Sequence, residues 1–371
     1  MDKEALYKKI YNDLLDDILS NKYPPGSCLP SEFKISELYG VSRITSKKAL
    51  EMLAEQKLIV RKPGKGSFVI GNESDGQEPA NKVHQENKTI GVLFDSFGSN
   101  FGSDILLGIE KRCNKYGFDM VLKCSHGKKE KETSAIKRFL EMDVSGMIIM
   151  CVHDDIYNDE ILKLSLKKFP MVLIDRQLKG IPIPFVGTDN YKASRVLTNY
   201  LFDLGHTNIC YAAPLSNDTS TLLERHKGFI DCHLERGVIT NEGNRIANLV
   251  STLPSYWDFD EKKEDLIRRD VDMVKAYMAE NPKTTAYFAV EYGIAKIIYE
   301  AMKELNTEKE KVIVCFDGIA DCNLSAQFAY VAQEQYVIGK TSVDILNEVM
   351  NGNHVPETTL IPYQIITYHQ P

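Results

Sequence analysis

The chain has 371 residues, more than one ordinary domain, and its 43% hydrophobic and 26% charged residues are typical of a globular protein with a sizeable core. Its net charge of -7 at pH 7 argues, taken alone, against binding to nucleic acid, and no apolar run is long enough to predict a membrane span. The charge is uneven, because residues 1–70 carry 12 Lys+Arg against 9 Asp+Glu.

The first residues, MDKEALYKKI, lack the apolar run of a secretory signal, so we expect a cytoplasmic chain. The eight cysteines are scattered and form no CxxC pair. Their apolar neighbours predict reduced, buried thiols, and nothing in their spacing suggests a metal site or a cofactor.

Residues 1–71 predict a small module of three helices and a hairpin. ALYKKIYNDLLDDILSNKY has an apolar residue at every fourth position of one helix face. Ser31 precedes a short helix that Gly40 should end, and Ser42 caps the next, RITSKKALEMLAEQ. Two helices joined by a tight turn predict a helix-turn-helix, with the inward side chains of the second being Ile44, Leu50 and Leu53.

The following KLIVRKPGKGSFVI predicts two strands of a β-hairpin wing. The segments PPGSCLPSE and LYGVSRITSKKALEMLAEQKLIVRKPGKGSFV resemble the GntR family of bacterial regulators, which implies a winged helix-turn-helix whose second helix and wing contact DNA. The resemblance gives these candidate DNA-binding residues: Ser31, Glu32, Arg43, Thr45, Lys47, Lys65 and Gly66. A guanidinium at Arg43 suits a guanine edge, whereas Lys47 cannot make the bidentate contact of the arginine common there; Lys48 and Arg61 stay open.

Residues 72–88 are polar, rich in Asn, Glu and Gln, and predict a flexible linker. From residue 89 to 371, short apolar runs such as TIGVLF, GMIIMCV and KVIVCF alternate with amphipathic helices, the first three near 103–116, 130–142 and 158–168. This βα rhythm occurs twice and predicts a two-lobed α/β domain of parallel strands with a cleft between the lobes.

Ordered segments of this second module, among them PMVLIDR, VGTDN, RHKGF, VCFDG and QEQYVIGK, resemble the sensor domain of the lactose/galactose repressor family, a periplasmic-binding-protein-like fold. A GntR head on such a body is similar to the arabinose repressors. The resemblance implies a sugar ligand, with Arg225 donating to ring hydroxyls and Asp317 accepting from them. Asp95 and Asp175 follow predicted strands, where ligands of open α/β sheets bind. Glu291 replaces an asparagine common in relatives, so we expect it to recognise a different hydroxyl pattern.

The two modules together predict a non-enzymatic regulator that binds double-stranded operator DNA as a homodimer and responds to a sugar such as L-arabinose or a related one. We expect a repressor of carbohydrate-utilisation genes; a ligand-dependent activator is the alternative. A sugar-processing enzyme with an accessory head is less well supported, because the sequence has no P-loop, HExxH or nucleophile–base motif. A transport binding protein does not account for the N-terminal module.

Overall fold

The computed structural model describes residues 3–19, 22–24, 26–55, 58–62, 66–69, 88–96, 101–152, 157–215, 219–240, 242–256, 263–318 and 328–367. The chain divides into two units, residues 1–84 and 85–371. The domain boundaries predicted above stay a prediction. No helix of the described ranges is long and apolar enough to cross a bilayer.

The first unit has the predicted winged helix-turn-helix, built from α1 (Lys3–Leu19), α2 (Glu32–Tyr39), α3 (Arg43–Glu55), β1 (Ile59–Lys62) and β2 (Gly66–Val69). The Ser31 side chain accepts from the Lys34 N–H to start α2, and Gly40, with φ of 62°, ends it. β1 and β2 pair antiparallel as the wing. A core of aliphatic side chains from all three helices and both strands holds these elements together.

The prediction that Ile44 faces the core was wrong. Ile44 is 79% exposed, and the buried residues of α3 are Ser46, Ala49, Leu50 and Leu53. These four follow the i, i+3, i+4, i+7 spacing of one helix face, and Ile44 lies two residues before Ser46, about 160° around the helix from it. Ile44 therefore belongs to the same exposed face as Lys47.

The second unit contains two six-stranded sheets with the same order of strands. The first sheet runs β13-β7-β6-β5-β3-β4 and the second β14-β12-β11-β10-β8-β9. The strands of the first are β3 (Thr89–Phe94), β4 (Asp119–Cys124), β5 (Gly146–Ile149), β6 (Met171–Ile174), β7 (Phe185–Thr188) and β13 (Thr358–Ile361). Those of the second are β8 (Ile209–Pro214), β9 (Arg245–Leu249), β10 (Ala286–Ala289), β11 (Val312–Phe316), β12 (Ala329–Gln333) and β14 (Tyr363–Ile366).

All neighbouring strands of both sheets pair parallel except β14, which pairs antiparallel with β12. The connecting helices are α4 (Ser103–Tyr116), α5 (Lys129–Glu141), α6 (Asp159–Leu166), α7 (Asn190–Asp203), α8 (Ser220–Glu235), α9 (Lys263–Glu280), α10 (Tyr292–Glu304) and α11 (Gln335–Met350). Each sheet is buried in its own apolar core, which gives the two lobes that the repeated βα rhythm predicted.

Helix α11 leaves the second lobe and packs on α4 of the first, where two glycines let the backbones meet. A Cβ built on Gly339 would lie 2.0 Å from the Ile105 carbonyl oxygen, and one built on Gly108 would lie 2.3 Å from the Tyr336 carbonyl oxygen. In the second lobe Gly228 of α8 meets the Tyr191 carbonyl oxygen of α7 in the same way, at 2.5 Å. The crossings that hold the crossover helices to their lobes therefore require glycine.

We expect Gly339→Ala to lower the free energy of unfolding by about 1–3 kcal/mol, because the new methyl group forces α4 and α11 apart. Thermal and urea unfolding would measure the change. Lys111→Ala, on the exposed side of α4, is the matched control and should leave stability nearly unchanged. Equal stabilities of the two variants would show that the crossing tolerates a wider spacing.

Candidate functional site

Helix α3 carries three of the residues predicted to contact DNA, Arg43, Thr45 and Lys47. The Arg43 guanidinium lies over the Phe33 ring, with Cζ 5.3 Å from the ring centroid. The Thr45 hydroxyl is 2.9 Å from that of Ser42, and the Lys47 ammonium is 3.7 Å from Glu51. An aromatic stack holds a guanidinium in one plane and leaves its N–H edge available to a ligand.

Glu32 and Arg61 form an ion pair that ties the start of α2 to strand β1 of the wing. The Ser46 hydroxyl donates to the Glu32 carbonyl oxygen at 2.9 Å, which fixes α3 against the same point. A carboxylate is repelled by phosphate, so this geometry favours a positioning role for Glu32 over a direct contact. Lys48 lies with its ammonium 4.1 Å from the centroid of the Tyr7 ring, and thus packs on α1.

Gly66 begins the second wing strand with φ of 116°, and a Cβ there would lie 2.9 Å from Cys28 Sγ. The backbone conformation and the close approach of Cys28 therefore favour glycine at position 66 even without a contact to DNA. Lys65 lies outside the described residues. The DNA-binding roles of these residues stay predictions.

A cavity of about 590 Å³ in the second unit is the candidate ligand site. It contains all five residues predicted to bind ligand, and it draws on both lobes. Asp95 and Asp175 come from the first lobe; Arg225, Glu291 and Asp317 come from the second. The other polar or charged side chains that line it are Ser96, Arg176, Thr219, Thr221, Ser251, Thr252, Lys263, Tyr292, Lys296, Tyr299, Glu300 and Gln333.

Asp175 and Asp317 occupy equivalent positions in the two lobes. Asp175 follows β6 and Asp317 follows β11, and both have a φ of 61°. The Asp175 N–H donates to the Val186 carbonyl oxygen at 3.1 Å, and the Asp317 N–H donates to the Val331 carbonyl oxygen at 2.9 Å. Aspartate tolerates left-handed backbone better than most residues, and this turn directs each carboxylate into the cavity.

Asp95 is paired with Arg176, which lies deep in the first lobe. Arg176 Nη1 is 2.9 Å from Asp95 Oδ2 and donates to the Cys151 carbonyl oxygen at 2.6 Å. Its Nε lies 3.7 Å from Asp175 Oδ2. Asp95 is 1% exposed, so its charge is balanced mainly by this guanidinium. The geometry indicates that Asp95 orients Arg176, and that Arg176 supports Asp175.

Arg225 of α8 is the buried cation of the second lobe. Its Nε donates to Asn190 Oδ1 at 2.8 Å and its Nη1 donates to the Val290 carbonyl oxygen at 2.6 Å. Cζ lies 3.7 Å from the centroid of the Phe316 ring, so the guanidinium plane is fixed by stacking. No described residue accepts a hydrogen bond from Nη2, which leaves the N–H groups on that nitrogen for a ligand.

Buried acceptors without donors face the same cavity. Gln333 donates from Nε2 to Asp317 Oδ2 at 2.8 Å. Asp317 Oδ1 and Gln333 Oε1 are both buried and have no hydrogen-bond partner among the described residues. An unpaired buried acceptor is costly, so the cavity is complementary to a molecule that supplies N–H or O–H groups.

Burial raises the pKa of three carboxyl groups at this site. Burial raises the pKa of Asp317 to about 7, against the lowering effect of the Arg225 cation and the Gln333 hydrogen bond. Burial also raises the pKa of Asp175 and of Glu291, where Arg225 and Arg176 oppose it. Arg225 is therefore the cation shared by all three groups.

The sequence prediction did not include Arg176 or Gln333 among the ligand residues. Arg176 adjoins Asp175 in PMVLIDR, and Gln333 begins QEQYVIGK, so both lie in segments that carried the resemblance. The structure brings them to the cavity through contacts between neighbouring strands. Trp257, the one tryptophan of the sequence, lies outside the described ranges.

A family model described as "Periplasmic binding protein domain" matches residues 90–354, the part of the chain that holds both lobes and the cavity. The chain belongs to the periplasmic binding protein domain family. A second model, "Bacterial regulatory proteins, gntR family", matches residues 6–69, the winged helix-turn-helix. Both resemblances predicted from the sequence are confirmed, as is the two-part fold.

Two curated relatives are similar to most of this chain. The "Arabinose metabolism transcriptional repressor" of Halalkalibacterium halodurans is 27% identical over 241 residues, which are 64% of this chain and 63% of that protein. The protein of the same name from Geobacillus stearothermophilus is 25% identical over 235 residues, 62% of each chain. The match thus spans less than two thirds of either relative.

A solved structure, a putative ribose operon repressor from Burkholderia thailandensis, superposes with a TM-score of 0.64 and 20% identity. It covers 76% of this chain and 100% of its own. This periplasmic-binding-protein domain and that structure share a fold.

Proposed function

We propose that the chain is a transcriptional repressor of carbohydrate-utilisation genes, which binds operator DNA through its winged helix-turn-helix and is released by a sugar held in the cavity. The observation that carries the proposal is the cavity itself. It brings Asp175 of the first lobe together with Asp317 and Arg225 of the second, in a chain that also has a winged helix-turn-helix. Two carboxylates and one guanidinium in fixed planes match the hydroxyl groups of a polyol.

Ligand control requires that the sugar and the DNA prefer different states of the protein. Residues from both lobes line the cavity, so a ligand that contacts both favours one arrangement of the lobes over another. Two curated relatives are named as arabinose metabolism repressors, which supports repression and a sugar such as L-arabinose. We also propose that the chain acts as a homodimer on two half-sites, the usual arrangement for helix-turn-helix regulators.

The proposal is tested by selecting duplexes from a random-sequence DNA library with the full chain, and then titrating the selected duplex with sugars. We expect one pentose or hexose to dissociate the complex. A sugar that strengthens the complex would contradict release by the effector, and a transcription assay on the same duplex would then test the activator alternative. Failure to retain any duplex at low ionic strength would rule out a DNA-binding regulator, and turnover of a bound sugar would favour the enzyme alternative.

We expect Arg43→Ala to weaken binding to the selected duplex by about 1–3 kcal/mol, because a stacked guanidinium at the start of α3 is placed to read a guanine edge. Gel shifts on the selected duplex and on a variant with that guanine replaced would measure the loss. The control Arg138→Ala removes an exposed arginine from α5 and should leave the affinity unchanged. An Arg43 variant that keeps full preference for the selected duplex would defeat this assignment.

A further inference from the structure

The charges around the cavity do not balance. Four carboxylates line its buried part, Asp95, Asp175, Glu291 and Asp317, against two guanidiniums, Arg176 and Arg225. One carboxylate–guanidinium pair, Asp95 with Arg176, is matched within the protein. Arg176 also lies 3.7 Å from Asp175, so four carboxylates share two guanidiniums and the excess is two acid groups.

The remaining charged residues of the cavity do not cancel this excess. Lys263, Lys296 and Glu300 line it from α9 and α10, but all three side chains are exposed. Water and salt screen charges there more strongly than at the buried carboxylates. Asp317 is 7% exposed and Asp175 is also 7% exposed, so their charges interact across a medium of low polarity.

The hydrogen-bonding groups point the same way. Among the described residues, Asp317 Oδ1 and Gln333 Oε1 are buried acceptors without a donor, and the side chain of Glu291, directly before α10, makes no capping hydrogen bond. A ligand that fills this corner must bring donors. A ligand with a carboxylate or phosphate would add a negative charge beside three carboxylates.

We propose that the ligand of this cavity is a polyol that carries a protonated amino group, such as an amino sugar, and that Glu291, Asp317 and Asp175 are the acids that select it. The inference rests on the proposed function and specifies the chemical class of its effector. The hydroxyl groups of the ligand pair with Arg225 Nη2 and the carboxylate oxygens, and its ammonium group balances the excess negative charge of the acids. Charge-assisted hydrogen bonds of this kind are about twice as strong as neutral ones.

The experiment uses the full chain and matched sugars that differ in charge. Isothermal calorimetry at pH 7.5 would compare glucose, glucosamine, N-acetylglucosamine and glucuronate, and the same four derivatives of galactose and of mannose. In the series whose stereochemistry fits, we expect the amino sugar to bind ~10-fold or more tightly than the parent sugar. The N-acetyl derivative, which keeps the substituent and removes the charge, should lose that preference, and the uronate should bind least.

Glu291→Gln keeps the size of the side chain and removes one acid. We expect it to reduce the preference for the amino sugar over the parent sugar, whereas Glu280→Gln, at the exposed end of α9, should leave the preference unchanged. A parent sugar or uronate that binds as tightly as the amino sugar would overturn the inference while leaving a sugar-responsive regulator intact. Binding to no member of any series would overturn the inference, whereas the proposed function would fail only if the pentoses of the duplex titration also had no effect.

Discussion

Arg225→Ala is expected to weaken effector binding by about 2–5 kcal/mol, roughly 30-fold to several-thousand-fold in Kd, because three carboxylates lose the cation they share. The guanidinium is held on three sides, by Asn190, the Val290 carbonyl oxygen and the Phe316 ring. Its remaining N–H groups are therefore positioned before any ligand arrives, and the cost of ordering them is small. Calorimetry with the effector measures the loss.

The same contacts mean that alanine also removes support from α7, α8 and the residue that follows β10, so a second variant separates binding from folding. Arg225→Lys keeps the charge but cannot donate to Asn190, Val290 and a ligand from one plane. We expect it to fold and to lose most of the effector affinity. DNA binding by both variants should persist, because Arg225 lies in the second unit. Unchanged effector affinity in the lysine variant would remove Arg225 from the binding site.

The repetition of short apolar runs and amphipathic helices was enough to predict two parallel-stranded lobes, because buried parallel strands read as continuous hydrophobic segments. Strands whose sequence is not a continuous hydrophobic segment were not predicted. β9, RIANL, contains Arg245 and Asn248 and lies at a sheet edge. β13 and β14 are partly exposed edge strands at the end of the chain. Their position depends on the tertiary fold, which local periodicity does not contain.

The error at Ile44 has a similar cause. An apolar residue near the start of a helix was assigned to the core by its type, but its angle around the helix axis places it opposite Ala49 and Leu53. When the residue type and the angular position on the helix disagree, the angular position decides whether the side chain is buried.

The positions of the strands were sufficient to predict which residues lie near the ligand cavity, but not which of them pair with each other. Residues after β3, β6 and β11 could be placed at one end of the sheets, because parallel strands bring their carboxyl ends together. Which of them pair with each other depends on distances across the cavity. Asp95 was predicted as a ligand residue, and the structure pairs it with Arg176; Asp175 and Asp317, from equivalent turns of the two lobes, face the cavity together.

Asp317→Asn is expected to stabilise the ligand-free protein above pH 7 by up to about 4 kcal/mol. The ordinary pKa of the group is 3.8, and burial raises it to about 7 in the folded protein. Between these values the native state holds a proton that the unfolded chain has released, so the free energy of unfolding falls as pH rises through this window and levels above it. Each pKa unit corresponds to about 1.4 kcal/mol. The amide cannot ionise, and the variant avoids this loss.

The measurement is the difference in unfolding free energy between Asp317→Asn and the wild type from pH 5 to pH 8. Other groups change stability with pH as well. Glu304, for example, has its pKa lowered to about 2 by Arg268 and Lys275, and it titrates below this range. Because such groups are present in both proteins, their contributions cancel in the difference. Asp203→Asn, an exposed residue paired with Arg236, is the control and should give a flat difference.

The same substitution should change ligand binding in the opposite direction. Asparagine tolerates the left-handed backbone at position 317 and its carbonyl oxygen can still accept from Gln333, so the fold of the turn is kept. The ionised carboxylate is nevertheless lost, and with it a pair of strong acceptors for the effector. A stabilised protein with weaker effector binding would mean that the ionisable Asp317 serves ligand binding and lowers the stability of the ligand-free protein. A difference that does not vary with pH, or effector affinity that rises in the variant, would contradict that role.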